Sequence, residues 1–309
     1  MNAPDRTGDS AKRVPLVTRA RNVLTRGLRL VERASGVEVH PLEELHLVLT
    51  IPKTGTYTLL EMARTLGVRG DLRSANHQLV SHADADGWEG DPRNRDFLYN
   101  DGWERGRVAE RVALHRELRA RAALSGCVPP RKISLLVATR EPVGRRLSEI
   151  FFKRWEVQES TTASEAAAIA LGSHHMPLVH GGRWWELDLW FDQQVRAPFG
   201  IDVFAEPFDR ARGWQVYEGE DARMLLIRQE DFGQLPAAMS ALYGLPSAPA
   251  RVPHENRADE HGYQDPYRQA KESIKLPPAL LDAAYSARYA RHFYTEAELK
   301  AFRAHWGER

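Results

Sequence analysis

The chain has 309 residues, with 43 Lys and Arg against 42 Asp and Glu, so its formal net charge is +1. Charged residues make up 28% and apolar residues 42%, which is typical of a folded globular protein and excludes wholesale disorder. The balanced charge excludes a dedicated nucleic-acid binder. The single cysteine, Cys127, excludes internal disulfides, and there is no uninterrupted apolar run of about 18 residues. A cytoplasmic protein without a transmembrane helix is therefore expected.

Residues 1–40 differ in charge from the rest of the chain. They contain eight Lys and Arg against four Asp and Glu, so this segment has a net charge of +4. Apolar residues are interleaved with arginines over residues 12–33, which predicts a basic amphipathic helix. Two interpretations stay open: the helix packs on the main domain, or it contacts an anionic membrane surface as a peripheral anchor. We expect a leader at 1–40 and a single α/β domain at 41–309.

The domain begins with a short apolar strand. Leu45–Ile51 is rich in Leu, Val and Ile and is followed by Pro52, which is typical of a buried parallel strand. Apolar residues then recur at helical spacing from Leu59 to Leu66, and Gly67 ends the pattern. This segment is therefore predicted as a strand, a loop and a helix.

Two more apolar strands are predicted farther along the chain. Ile133–Ala138 is followed by a polar turn and by a helix that begins at Pro142, and Arg223–Ile227 is the third strand. Helices are predicted at residues 103–123, 161–171 and 184–197, and as a pair at 278–306. Strands that alternate with helices predict a parallel sheet flanked by helices on both faces, with a helical C-terminal region.

Polar turns follow the first two strands. The first turn, residues 51–58, offers backbone N–H groups, hydroxyls, a helix N-terminus and Lys53 to one anion. It is not a Walker A loop, because Lys53 precedes Gly55. In the second turn, Ser148 follows Arg140 by about two helical turns, and this pair suits another phosphate. The alternative for Arg140 is a surface ion pair with Glu141 or Glu149. Because ligands bind at the carboxyl ends of parallel strands, both turns are expected to face one crevice.

These turns resemble the donor-binding motifs of sulfotransferases that use 3′-phosphoadenosine 5′-phosphosulfate (PAPS). Pro52-Lys53-Thr54-Gly55-Thr56 resembles the loop for the 5′-phosphosulfate, and the segment from Thr139 to Ser148 resembles the motif for the 3′-phosphate. The stretch from Trp184 to Asp231 is similar to a bacterial, sulfotransferase-like family of capsular polysaccharide synthesis proteins. The resemblance implies a P-loop-like, sulfotransferase-type fold. It also implies transfer of a sulfuryl group from PAPS, without a metal ion, to a hydroxyl of a glycan, glycolipid or secondary metabolite.

The resemblance further implies roles for single residues. Lys53 is expected at the bridging oxygen of the donor, with Arg140 and Ser148 at the 3′-phosphate. Tyr57 stands where the family has a second hydroxyl residue, and Thr58 is the candidate substitute. Candidate donor-binding residues are therefore Lys53, Thr54, Gly55, Thr56, Tyr57, Thr58, Arg140, Ser148 and, in a later loop, Arg257.

A general base is expected because an acceptor hydroxyl is a poor nucleophile. His82 is the first candidate and His77 the second. Both lie in an alternating segment, residues 77–82, that is predicted as a strand ending near the same crevice. A histidine that caps a strand or lies exposed in a loop is the alternative for each, and Glu61 is a lesser candidate.

Two other functions stay open from the sequence. A nucleotide-dependent phosphotransferase would use ATP with magnesium, although the Walker lysine is missing. A non-catalytic polysaccharide-assembly protein would dock to the membrane through residues 12–33 and would turn over no donor. The leading expectation has two partners, a nucleotide sulfate donor and a hydroxyl-bearing acceptor that is a carbohydrate or is lipid-linked.

Overall fold

A computed structural model describes residues 44–68, 70–76, 133–153, 185–219, 222–245, 252 and 264–307. These residues belong to one compact unit. The predicted leader and the helices predicted at 103–123 and 161–171 lie outside the described residues. Among the helices that are described, none is long and apolar enough to cross a membrane.

The described strands form one sheet of five strands in the order β2-β1-β3-β5-β4. They are β1 (Leu45–Leu49), β2 (Asp71–Asn76), β3 (Ile133–Thr139), β4 (Trp214–Glu218) and β5 (Ala222–Arg228). The three strands predicted from apolar runs are confirmed as β1, β3 and β5, which run parallel with β2. The expectation of a wholly parallel sheet is corrected at one edge, where β4 is antiparallel to β5. A short connection between consecutive strands permits only antiparallel pairing.

β2, which pairs with β1, lies directly before residues 77–82, the segment that the alternating pattern predicts as a strand. β2 ends at Asn76, which pairs with Leu49 at the carboxyl end of β1. Residues 77–82 follow directly in the chain, and their predicted strand lies outside the described residues.

Helices are described where the sequence predicts them after β1, after β3, at residues 184–197 and at residues 278–306, and two further helices, at residues 235–243 and 264–273, were not predicted. The described helices are α1 (Thr56–Thr65), α2 (Pro142–Lys153), α3 (Trp185–Phe191), α4 (Leu235–Tyr243), α5 (Gln264–Ser273), α6 (Pro278–Ser286), α7 (Arg288–Phe293) and α8 (Glu296–Trp306). Residues 278–306 form three helices rather than two, because the backbone is extended at Ala287 and again at Tyr294. Thr295 then caps α8 in a capping box with Glu298.

The hydrophobic core lies on both faces of the central strands. Val48, Leu136 and Leu225 pack on one face against the apolar sides of α1 and α4. Residues adjacent to them in each strand point to the opposite face and are also fully buried. Burial on both faces is typical of parallel strands inside an α/β domain. The polar turns at the strand ends are therefore held on a rigid platform.

Candidate anion-binding site at the carboxyl ends of β1 and β3

The two polar turns lie side by side because of the order of the strands. From β1 the chain passes to β2 on one side, and β3 pairs with β1 on the other side. The boundary between β1 and β3 is therefore a topological switch point, which is where open α/β sheets form a ligand crevice. Lys53 follows β1 and Arg140 follows β3, so both cations lie at this boundary.

The turn between β1 and α1 has an unusual backbone at two residues. Gly55 has a φ of 95° and is the N-cap of α1, while Lys53 has a φ of 66°. Among the described residues, Lys53 is the one non-glycine residue with a positive φ. Such a conformation is uncommon for a residue with a Cβ atom, and it is found most often where function constrains the backbone. The residue with the strained backbone is therefore Lys53, the same lysine that the sequence identifies as a candidate anion-binding residue.

Threonine hydroxyls stiffen this turn from within. The Thr54 hydroxyl donates to the carbonyl oxygen of Ile51 over 2.7 Å, and the hydroxyl oxygens of Thr50 and Thr56 are 2.5 Å apart. The hydroxyl of Thr54 has a single proton, so it cannot donate to a ligand while this bond exists. Thr54 therefore orders the turn in this arrangement.

The remaining hydroxyl residues of the turn differ in exposure. Thr58 is buried in the first turn of α1, whereas the side chain of Tyr57 is 45% exposed. Tyr57 is therefore the hydroxyl residue of the predicted loop that is open to solvent.

The backbone N–H groups at the N-termini of α1 and α2 differ in their hydrogen-bond partners. α1 has no side-chain cap at Gly55 and no acidic residue in its first turn. At α2, the Glu141 carboxylate accepts hydrogen bonds from the backbone N–H groups of Val143 at 2.8 Å and Gly144 at 2.5 Å. The first N–H groups of a helix have no partner within the helix and attract anions. The end of α1 is therefore the one that offers its N–H groups to a ligand, since an internal carboxylate occupies the end of α2.

Lys53 and Arg140 are in direct contact through the backbone. The Nη1 atom of Arg140 donates to the carbonyl oxygen of Lys53 over 3.2 Å, across 87 positions of the chain. Burial, reinforced by the positive charge of Arg140, lowers the pKa of Lys53 to about 8, and the nearby carboxylate of Glu149 partly opposes this shift. Two cations held together against their repulsion are the arrangement that an anionic ligand relieves.

α2 is tied to the first turn by a buried ion cluster. Arg145 donates from Nη1 to the carbonyl oxygen of Pro52 over 3.4 Å and to Glu149 over 3.1 Å. Arg146 donates to the same Glu149 oxygen over 2.9 Å. Ser148 is half-buried three residues after Arg145, so it shares the face of α2 that contacts this turn. α2 therefore connects the two cationic turns.

Glu141, Arg145 and Glu149 are site residues that the sequence analysis did not identify. An acidic residue directly before a helix-initiating proline is an N-cap signal, and it could have revealed Glu141. The i,i+4 spacing of Arg145 and Glu149 could have revealed their ion pair, but not the contact of Arg145 with a backbone carbonyl 93 residues away.

Several candidate residues are not brought to this site by what the structure describes. His77, His82 and Arg257 lie outside the described residues. Glu61 lies on α1 and pairs with Arg64 at 3.2 Å. Within the described ranges, no group of three or more His, Cys, Asp or Glu side chains is placed to hold a metal ion.

Comparison with known proteins gives one similarity. Residues 183–295 match the family described as "Putative capsular polysaccharide synthesis protein". The matched segment contains β4, β5 and α7 but neither Lys53 nor Arg140. No curated protein and no solved structure matches the chain. Over residues 183–295, the chain is thus similar to a family named for capsular polysaccharide synthesis.

Proposed function

We propose that the protein is a sulfotransferase that moves a sulfuryl group from PAPS to a hydroxyl of a glycan, glycolipid or secondary metabolite. The observation that carries the proposal is the contact between Arg140 and Lys53 beside the uncapped N-terminus of α1. PAPS bears an anion at each end of its ribose, a 3′-phosphate and a 5′-phosphosulfate. Such a ligand needs two neighbouring cationic subsites on separate turns, and these turns offer them.

Each subsite has a distinct role in the proposed reaction. Lys53 and the N–H groups of α1 neutralise the 5′-phosphate as it becomes the leaving group, while Arg140 and Ser148 hold the 3′-phosphate. With a pKa of about 8, Lys53 is mostly protonated at neutral pH. A bond forms between the acceptor oxygen and sulfur as the bond between sulfur and the bridging oxygen breaks. The acceptor's proton passes to a general base, for which His82 and then His77 are the candidates.

The acceptor class in this proposal is supported by the family similarity. A segment that resembles capsular polysaccharide synthesis proteins favours a glycan or a lipid-linked glycan as the acceptor. The alcohol groups of such molecules are the nucleophiles that the proposed reaction requires. A glycolipid acceptor lies in a membrane, so the interpretation of residues 12–33 as a membrane-contacting helix would bring the enzyme to its acceptor.

Binding of the desulfated donor tests the proposal. Isothermal titration calorimetry with 3′-phosphoadenosine 5′-phosphate (PAP) should show saturable binding that Lys53→Ala and Arg140→Ala each weaken at least tenfold. Lys300→Ala and Arg291→Ala are matched controls, since both side chains are exposed. Absence of PAP binding at millimolar concentration would overturn the donor assignment. Tight binding of ATP with magnesium in place of PAP would indicate a phosphotransferase instead.

Turnover separates the general base from the donor site. With an acceptor in hand, His82→Ala should abolish PAP release while calorimetric binding of PAP stays within twofold of the wild type. His77→Ala is the companion variant. Full activity in both variants would assign the base elsewhere.

A further inference from the structure

Three tyrosines from the C-terminal helical region converge on the turn that carries Arg140. Tyr285 lies on α6, Tyr289 on α7, and Tyr294 directly after α7, and all three side chains are buried. A buried tyrosine hydroxyl needs a hydrogen-bond partner. Each of these hydroxyls finds its partner in the Arg140–Glu141 turn or in the carboxylate that binds this turn.

Tyr289 satisfies both backbone groups of Arg140. Its hydroxyl accepts a hydrogen bond from the N–H of Arg140 over 3.0 Å and donates to the carbonyl oxygen of the same residue over 2.8 Å. The ladder between β3 and β5 ends one residue earlier, at the pair of Thr139 and Arg228. Tyr289 therefore continues the hydrogen bonding of the sheet edge by one residue. It is itself anchored, because its own N–H donates to the carboxylate of Asp188 over 2.7 Å.

Glu230 holds the next peptide of the turn. Its Oε1 atom accepts from the N–H of Glu141 over 2.7 Å, and its Oε2 atom accepts from the hydroxyl of Tyr294 over 3.2 Å. Although solvent reaches the Glu230 side chain, the surrounding protein raises its pKa by desolvation. Glu141 is held in turn by the hydroxyl of Tyr285 over 2.6 Å.

This arrangement costs more than stability alone requires. Desolvation by the surrounding protein raises the pKa of the buried Glu141 and also that of Glu230, so two carboxylates are kept near one turn in an environment that penalises their charge. Apolar packing would stabilise a turn at lower cost. What the network adds is a fixed backbone at Arg140, whose guanidinium is held at its other end by the carbonyl oxygen of Lys53. A fixed backbone lowers the entropic cost of binding.

We propose that Tyr289 and Glu230 are positioning residues for the second anion subsite, where they fix the backbone of Arg140 for the phosphate on the ribose of the nucleotide. The inference rests on the proposed function and deepens it, since it names which phosphate depends on the C-terminal helices. Neither side chain touches the ligand, and both act through Arg140. The phosphate at the 5′ position depends instead on Lys53 and the end of α1.

Comparison of two nucleotides tests this inference on the full-length protein. PAP and AMP differ only in the 3′-phosphate, so the ratio of their dissociation constants measures the second subsite alone. Tyr289→Phe removes one oxygen. It should weaken the binding of PAP about tenfold, while the affinity for AMP stays within twofold of the wild type. Tyr217→Phe on β4 is the matched control, since it removes another buried hydroxyl, one without a hydrogen-bond partner in the described part of the chain.

A second pair of variants gives the same comparison if Tyr289→Phe does not fold. Glu230→Gln keeps an oxygen that accepts from Glu141 and should retain PAP affinity within threefold, whereas Glu230→Ala should lose about tenfold. If the wild type binds PAP and the variants lower the affinities for PAP and AMP equally, or lower neither affinity, the positioning role is wrong. The proposed function then stands. If the wild type binds no PAP, the proposed function fails first and the positioning role fails with it.

Discussion

The ring of Phe232 packs directly on the backbone of Gly55. A Cβ atom at residue 55 would lie 2.5 Å from Cε2 and 2.8 Å from Cζ of this ring. Phe232 follows β5, whereas Gly55 is the N-cap of α1, so the contact closes the first turn from the side of a different strand. A side chain at residue 55 would therefore force the Phe232 ring to move.

Gly55→Ala should therefore disrupt both the fold and nucleotide binding. The substitution adds a collision to a backbone with a φ of 95°, and we expect a loss of about 3 kcal/mol in the free energy of unfolding. Gly67→Ala is the control, because Gly67 has a φ of 65° with no atom within 4 Å of the added Cβ. It should lose about 1 kcal/mol, which is the backbone penalty alone. Urea denaturation measures both, and equal losses would show that the Phe232 contact is unimportant.

Affinity for PAP should fall as the pH rises above 8. Lys53 in the free protein has a pKa of about 8, and a bound phosphate raises that pKa because the charged form is stabilised. Above pH 8, binding must take up a proton, so the affinity should drop by up to about tenfold per pH unit. Calorimetry at several values between about pH 6.5 and about pH 9.5 measures this slope, and this whole range lies above the phosphate pKa of about 6. Lys53→Arg should bind with no such slope, and a slope that persisted in this variant would assign the titration to another group.

Loss of the Glu149 carboxylate should destabilise the protein and shift this pH profile. Glu149 is 4% exposed and pairs with Arg145 and Arg146. Glu149→Gln removes the counter-charge of the buried Arg145 and of the half-buried Arg146, so we expect a loss of about 3 kcal/mol. Because Glu149 raises the pKa of Lys53, its removal should also move the onset of the affinity loss below pH 8. Glu218→Gln, which breaks the exposed pair with Arg223, should cost under about 1 kcal/mol in the same assay.

The N-terminus of α2 should tolerate no side chain at residue 144. A Cβ atom there would lie 2.7 Å from Oε2 of Glu141, so Gly144→Ala displaces the carboxylate that caps the helix. We expect a loss of about 2 kcal/mol and weaker binding of PAP. Gly233→Ala has no atom within 4 Å of its added Cβ and should change stability by less than about 0.5 kcal/mol. Thermal unfolding compares the melting temperatures of both variants with that of the wild type. An unchanged melting temperature for Gly144→Ala would contradict the capping role of Glu141.

The sequence was informative where local chemistry decides the structure. The apolar runs at β1, β3 and β5 end at prolines or polar turns, so their strands were predicted correctly. β4 was missed because Trp214–Glu218 mixes polar and apolar residues on an edge strand. Helix α7 was not recognised as a separate helix, because no Gly or Pro marks the breaks at Ala287 and Tyr294.

The candidate site was predictable only in part, because some of its contacts join residues that are far apart in the chain. Lys53 and Arg140 follow strands and could be placed from topology alone. The partners of Glu141 and Arg140 could not be placed, because Tyr285 and Tyr289 are 144 and 149 residues away in the chain. No local pattern links residues at such separations.

The tyrosine contacts have a consequence for synthesis of the protein. A nascent chain that has passed Ser148 already carries both cationic turns, but the hydroxyls that hold the second turn come from residues 285–294, which are synthesised much later. The second turn therefore cannot take its final form until residues 285–294 have been made. By then all five described strands of the sheet have been made.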